Sequence, residues 1–153
     1  MPRLFVDDRI VITRGSVTFA AGTSGAIAQH TVFTITGEVL FSFYYRCTDA
    51  LTSGGAATIS HGNVTTVAAL VAATTATTID AGDYSNTADD TVIEATAFKY
   101  VGGATPTHLS TGTDITADIL TATITGGTLE YYLFWEALSV GATVALGSEL
   151  TPL

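Results

Sequence analysis

From Phe33 to Cys47 the chain reads FTITGEVLFSFYYRC, and its side chains sort by twos. Phe33, Ile35, Gly37, Val39, Phe41, Phe43, Tyr45 and Cys47 share one phase, and Thr34, Thr36, Glu38, Leu40, Ser42, Tyr44 and Arg46 the other. Successive side chains of a strand point to opposite faces. The pattern therefore predicts extended chain with one face in a core and the other near solvent. The run outlasts the usual strand of about five or six residues, which leaves one long strand or two collinear ones bent at Gly37. Its aromatic residues bury more area than any other part of the chain, so the fold is built around it.

The remaining segments are read against that strand. Ile10 to Phe19 carries β-branched residues around Gly15, giving two short strands or one bulged strand. Ala20–Gly25 and Thr48–Gly55 have loop composition, and Ala56–His61 suits a short strand. Asn63 is placed to cap a short helix over Val64–Ala73, with Val64, Val67, Leu70 and Val71 on one side, although its β-branched residues lower helix propensity. Thr74–Thr78 returns to β-type composition. Asp80–Asp90 reads as an acidic surface loop and Thr91–Val101 as a strand, with a connection containing Pro106 after it.

Asp114–Thr125 changes phase part-way, which predicts a bulge near Ile119. Gly126-Gly127 carries the clearest hairpin signal, with Leu129–Leu138 as its return strand. A last apolar piece, ATVAL, lies in the tail. The expectation is an all-β chain: an N-terminal arm over residues 1–9, then one domain over 10–153. That domain is an antiparallel β-sandwich or β-barrel with one short helix.

Charge narrows the partners. Only 12% of residues are charged, against a typical ~25%, and the mean hydropathy is +0.44. Surface of that kind is suited to oligomerisation or docking on a larger assembly; a Thr/Ala-rich monomer would give the same index. The net charge is −9, and Arg3, Arg9 and Arg14 crowd the N-terminus, leaving Arg46 and Lys99 in an acidic body. Such a body repels phosphate backbones, so no nucleic acid is expected as a partner. No stretch approaches the ~20 apolar residues of a membrane helix, so no membrane partner is expected either. MPRLFVDDRI reaches acidic residues before any apolar run, which points to synthesis and assembly in a cytoplasm. Cys47 is the sole cysteine, so packing and not an internal disulfide must hold the fold.

The motifs for chemistry are thin. His30, His61 and His108 lack paired metal-ligand spacing, and the Asp80, Asp83, Asp89, Asp90 group lacks the spacing of a calcium loop. Cys47 falls on the buried phase, and neither a G-x-S-x-G elbow nor a phosphate-binding glycine loop is present. Glu130 and Glu136 share a strand face but stand roughly 20 Å apart, beyond the ~5–9.5 Å of glycosidase pairs. The expectation is a protein that is not an enzyme, with no catalytic, cofactor-binding or metal-ligating residue.

Four stretches in order, GAIAQHTVFTITGEVL (25–40), CTDALTSGGAATISHG (47–62), AALVAATTATTIDAGDY (68–84) and YYLFWEALSVGATVA (131–145), together resemble a family of small virion structural proteins of tailed bacteriophages. The chain departs from that pattern at Tyr84, where tryptophan is common, and at Glu136-Ala137, where a basic residue and proline are usual. The resemblance implies a capsid decoration (cement) protein, a homotrimer bound to the major capsid protein on the outer surface of the head. It transfers no catalytic residue and no cofactor. A tail- or fibre-associated protein with an adhesion role, centred on exposed aromatics such as Tyr84, fits the same composition; so does a small-molecule-binding β-barrel. Under the decoration reading, Arg3, Leu4, Phe5 and Arg9 are the candidate capsid contacts. Leu40, Tyr44 and Arg46, on the wet face of the central strand, are the candidate subunit contacts.

Overall fold

The computed structural model of this protein describes residues 10–86, 91–93 and 108–153. The predicted arm contacts Arg3, Leu4, Phe5 and Arg9, most of the predicted strand Thr91–Val101, and the Pro106 connection lie outside the described residues. Twelve strands among the described residues form two antiparallel sheets packed as a sandwich. The large sheet has the order β12 (Thr151–Pro152), β1 (Val11–Thr18), β10 (Ile124–Ala137), β3 (Glu38–Ser53), β6 (Tyr84–Asn86), β7 (Thr91–Ile93), with β8 (His108–Thr111) also paired to β3. The small sheet has the order β11 (Thr143–Leu146), β2 (Gln29–Thr36), β9 (Ile115–Leu120), β4 (Thr58–Gly62), β5 (Val71–Thr75).

The central run is neither one strand nor two collinear ones. Gly37, at φ +74, is a corner where the chain leaves the small sheet as β2 and enters the large sheet as β3. A side chain there would meet Ser139 Oγ at 2.7 Å, so glycine answers both the backbone angle and the space. The alternation survives the corner. Phe33 and Ile35 point inward from one sheet, Val39, Phe41, Phe43, Tyr45 and Cys47 from the other, all buried. Phe33 and Phe43 then meet edge-to-face across the core, ring centres 6.4 Å apart.

Other expectations are corrected by the same two-sheet logic. The helix over Val64–Ala73 does not form. The Asn63 carboxamide does accept the N–H groups of Thr65 and Thr66, but the chain then turns and enters β5. Among the described residues the one helical turn is a 3-10 turn, Ala76–Thr78. The Thr48–Gly55 loop is strand as far as Ser53, and the acidic loop contains β6. Around Gly15, β1 is one unbroken strand, and Leu146 of the small sheet fills the space a Cβ there would need.

Gly126-Gly127 makes no hairpin. Both residues lie within β10, in a bulged stretch where the register against β3 shifts. The chain reverses earlier, around Thr121 at φ 73, as it passes from β9 in the small sheet to β10 in the large one. That crossing, and not a bulge at Ile119, produces the phase change, since β9 pairs with β4 without interruption from Leu120 to Thr116.

Among the described residues a polar pair crosses the core. His61, fully buried on β4, lies 3.1 Å from the Tyr131 hydroxyl of β10 and against the rings of Phe43 and Tyr45.

Candidate functional site

The predicted contact residues Leu40, Tyr44 and Arg46 sit on the outer face of the large sheet, where strand register decides their neighbours. β10 lies beside β3 with Tyr132 opposite Tyr44, Glu130 opposite Arg46, Phe134 opposite Ser42 and Glu136 opposite Leu40. On the far side of β10, β1 places Arg14 opposite Tyr132 and Ile12 opposite Phe134. On the far side of β3, Tyr84 faces Arg46 and Leu109 faces Leu40. Strands ~4.8 Å apart and same-face residues ~7 Å apart along each strand make this a continuous platform.

The centre of the platform is aromatic. Tyr44 and Phe134 pack edge-to-face with ring centres 5.5 Å apart, and both are half-buried with one side open. Ile12 and Leu109, at 52% and 61% exposure, extend apolar surface to either side. The Tyr132 hydroxyl donates to Glu130 Oε2 at 2.6 Å, a short bond to a carboxylate that fixes both side chains. Partial burial first, then that carboxylate, push the Tyr132 hydroxyl above the usual tyrosine range, while Arg46 and Arg14 pull it back.

Arg14 and Arg46 are the two cations among the described residues, and both project from this face. Their placement gives an acidic protein one surface with cationic groups set around aromatic rings. Aromatic and arginine side chains are enriched where proteins meet, because they bury much area while retaining a polar end. The arrangement is suited to binding another protein surface.

The sequence marks Leu40, Tyr44 and Arg46 through the second phase of one strand. It does not mark Ile12, Arg14, Tyr132 and Phe134, whose membership depends on register. The outward phase of Leu129–Leu138 (Glu130, Tyr132, Phe134, Glu136) carries the missing signal, since two of its four members are aromatic.

The remaining candidates fall elsewhere. Cys47 is buried, its thiol donating to the Asp49 carbonyl at 3.1 Å, and burial together with Asp83 pushes it up to about 11. Asp83 is also buried, and its carboxylate accepts the Asp80 N–H at 2.8 Å, which closes that turn; Asp89 and Asp90 lie outside the described residues. His30 pairs with Glu149 at 2.8 Å, and His108 lies against Phe41. Among the described residues no group of three or more His, Cys, Asp or Glu side chains is placed to hold a metal ion.

No family model matches the chain, and no curated protein matches it. Among solved structures, a chain of the cyanophage Pam1 capsid asymmetric unit is similar, with a TM-score of 0.50 over 84% of each chain and 18% sequence identity. At that identity the likeness is one of fold.

Proposed function

We propose that the protein is a structural, non-catalytic component of a tailed-phage particle: a decoration protein that binds the outer surface of the head and stabilises the shell. The observation that carries this is the likeness of fold to a chain of a phage capsid asymmetric unit over most of both chains. The outer face of the large sheet supports it, with aromatic and aliphatic residues at its centre and both described cations around them.

The mechanism is additive binding. Each copy covers part of its own apolar face against neighbouring copies and against the major capsid protein, and every contact formed only in the assembled shell favours that shell. The subunits associate as a homotrimer through the face containing Leu40, Tyr44 and Arg46. The arm residues Arg3, Leu4, Phe5 and Arg9 contact the capsid, and assembly takes place in the host cytoplasm. A closed ring covers sheet surface that would otherwise invite open-ended association.

Co-sedimentation with purified heads, together with solution mass by light scattering, tests this. Saturable binding by a trimer is the expected result; a monomer with no affinity for heads refutes it. Deleting residues 1–9 should lower occupancy on heads, and unchanged occupancy would remove the arm from the mechanism.

A further inference from the structure

The loops gathered around Gly37 form one end of the sandwich. Gly37 carries the chain from β2 into β3, and a Cβ on Gly112 would lie only 3.8 Å from the Gly37 N. The segment after β10 is tied to the same corner. The Glu38 carbonyl accepts the Leu138 and Ser139 N–H groups at 2.8 and 3.3 Å, and Ser139 Oγ accepts the Glu38 N–H at 2.8 Å. Val64 lies beside this corner, lining one hollow with Gly112 and Thr113.

This end presents apolar side chains on fixed backbone. From Ser139 to Ala142 the chain makes a tight turn, the Ala142 N–H donating to the Ser139 carbonyl at 3.2 Å with Gly141 at φ +78 in its third position. That turn lifts Val140 clear of the fold, where it is fully exposed, with the exposed Leu138 two positions before it. A single exposed aliphatic residue is ordinary, but here Val140, Leu138 and Val64 are exposed around one corner. The bonds to Glu38 hold the turn in place before any partner arrives, which lowers the ordering cost of binding.

The composition of these loops selects the partner. Residues 63–69, 109–113 and 137–143 contain no charged residue, with the exposed Glu38 at their margin. Phosphate backbones and anionic headgroups are therefore not matched by any cation here. Surfaces that enter bilayers carry Trp, Tyr, Lys or Arg at their rim, and these three segments hold none of them. What fits is an uncharged protein surface with an apolar recess.

The chain itself indicates which protein surface. β1 begins at this end, with Val11 opposite Trp135 near the end of β10, so residues 1–9 are attached here. A ring built through the outer face of the large sheet leaves the ends and edges of each sandwich to meet the shell, and the attachment of the arm selects this end. We propose that the Gly37 end is set down on the shell, with Val140 and Leu138 seated in an apolar, uncharged recess of the capsid protein. This rests on the decoration reading and adds the orientation of each copy.

Co-sedimentation with purified heads, with light scattering and thermal unfolding of the same samples, tests the proposal. Val140→Asp removes nothing from the core. It should leave the thermal midpoint and the assembled mass unchanged while weakening binding to heads roughly tenfold or more. Ile27, 53% exposed, precedes the first residue of β2 at the opposite end, so Ile27→Asp should bind heads as the unaltered protein does. Full binding by Val140→Asp, or an equal loss in Ile27→Asp, would overturn the orientation while the decoration reading stands. Failure of the unaltered protein to bind heads would refute the decoration reading and this inference with it. Co-sedimentation with phosphatidylcholine vesicles that Val140→Asp abolishes would assign this end to a membrane and overturn the proposal.

Discussion

His61 of the small sheet and Tyr131 of the large sheet are joined Nε2 to hydroxyl across 3.1 Å of fully buried core, while His61 Nδ1 has no hydrogen-bond partner. The imidazole is a polar link within a core whose described residues are mostly apolar. Burial lowers its pKa to about 3, so it is neutral wherever the protein is folded and near neutral pH.

Acid should therefore weaken the fold through this residue. The folded pKa lies below the unfolded value of about 6.5, so the unfolded chain takes up the proton first. The contribution is complete above pH ~6.5 and is lost at ~1.4 kcal/mol per pH unit as pH falls toward the folded pKa. In His61→Phe the dependence of unfolding free energy on pH between 6.5 and 4 should be shallower by one proton. Urea unfolding of both proteins across that range checks this, and identical slopes would refute it.

Cys47 should be inert in the folded protein. Its thiol is inaccessible, and the pKa of about 11 leaves almost no thiolate at pH 8. An aromatic disulfide reagent should label it stoichiometrically in denaturant and only at the rate of unfolding in buffer. Rapid labelling of the native protein would contradict the burial.

The inward phase of the central run was legible because parity is a local property, and Phe33 through Cys47 keep it through a corner that changes sheets. The corner itself was not, since a glycine in an alternating run suits a bend, a bulge or a crossing equally well. Gly126-Gly127 misled for a related reason. It has hairpin composition, yet Gly127 is there because a Cβ would meet the Ala50 carbonyl at 2.5 Å, while the real reversal uses Thr121, which no turn preference favours. At Asn63 the cap was legible but not the element it caps: Leu70 and Val71 are buried and Val64 is exposed, so the predicted helical stripe has no common face. Of the platform, Leu40, Tyr44 and Arg46 could be named from one strand. Arg14, Tyr132 and Phe134 required knowing which strands adjoin it.

Two glycines with nearly the same backbone angle separate the two costs of the Gly37 corner. Gly37 and Gly141 have φ of +74 and +78, but a Cβ at Gly37 meets Ser139 and Ala142 at 2.7–3.1 Å, whereas nothing lies within 4 Å of one at Gly141. Gly141→Ala should cost about 1 kcal/mol for the left-handed conformation alone. Gly37→Ala should cost about 2–3 kcal/mol, since the crowded neighbours include backbone that cannot swing aside. Thermal midpoints of the two variants give the comparison, and equal losses would show that the corner has room to adjust.

The platform separates folding from assembly. Arg46 is exposed, Tyr44 has one open side, and neither contributes to the inner core, so Arg46→Glu should lower unfolding free energy by no more than about 1 kcal/mol, the cost of like charges facing each other across two strands. The same substitution reverses a charge on the face that carries both described cations, and places it opposite Glu130 in register. The new carboxylate repels any acidic group brought up by a neighbouring copy, so the association constant should fall by tenfold or more, equivalent to ~1.4 kcal/mol. Arg14→Glu, one row away beside Tyr132, should act in the same direction with a smaller change in the unfolding curve. Light scattering across a dilution series, run alongside urea unfolding of the same samples, measures both quantities. A trimer that persists unchanged in the Arg14→Glu, Arg46→Glu double variant would take this face out of the subunit contact.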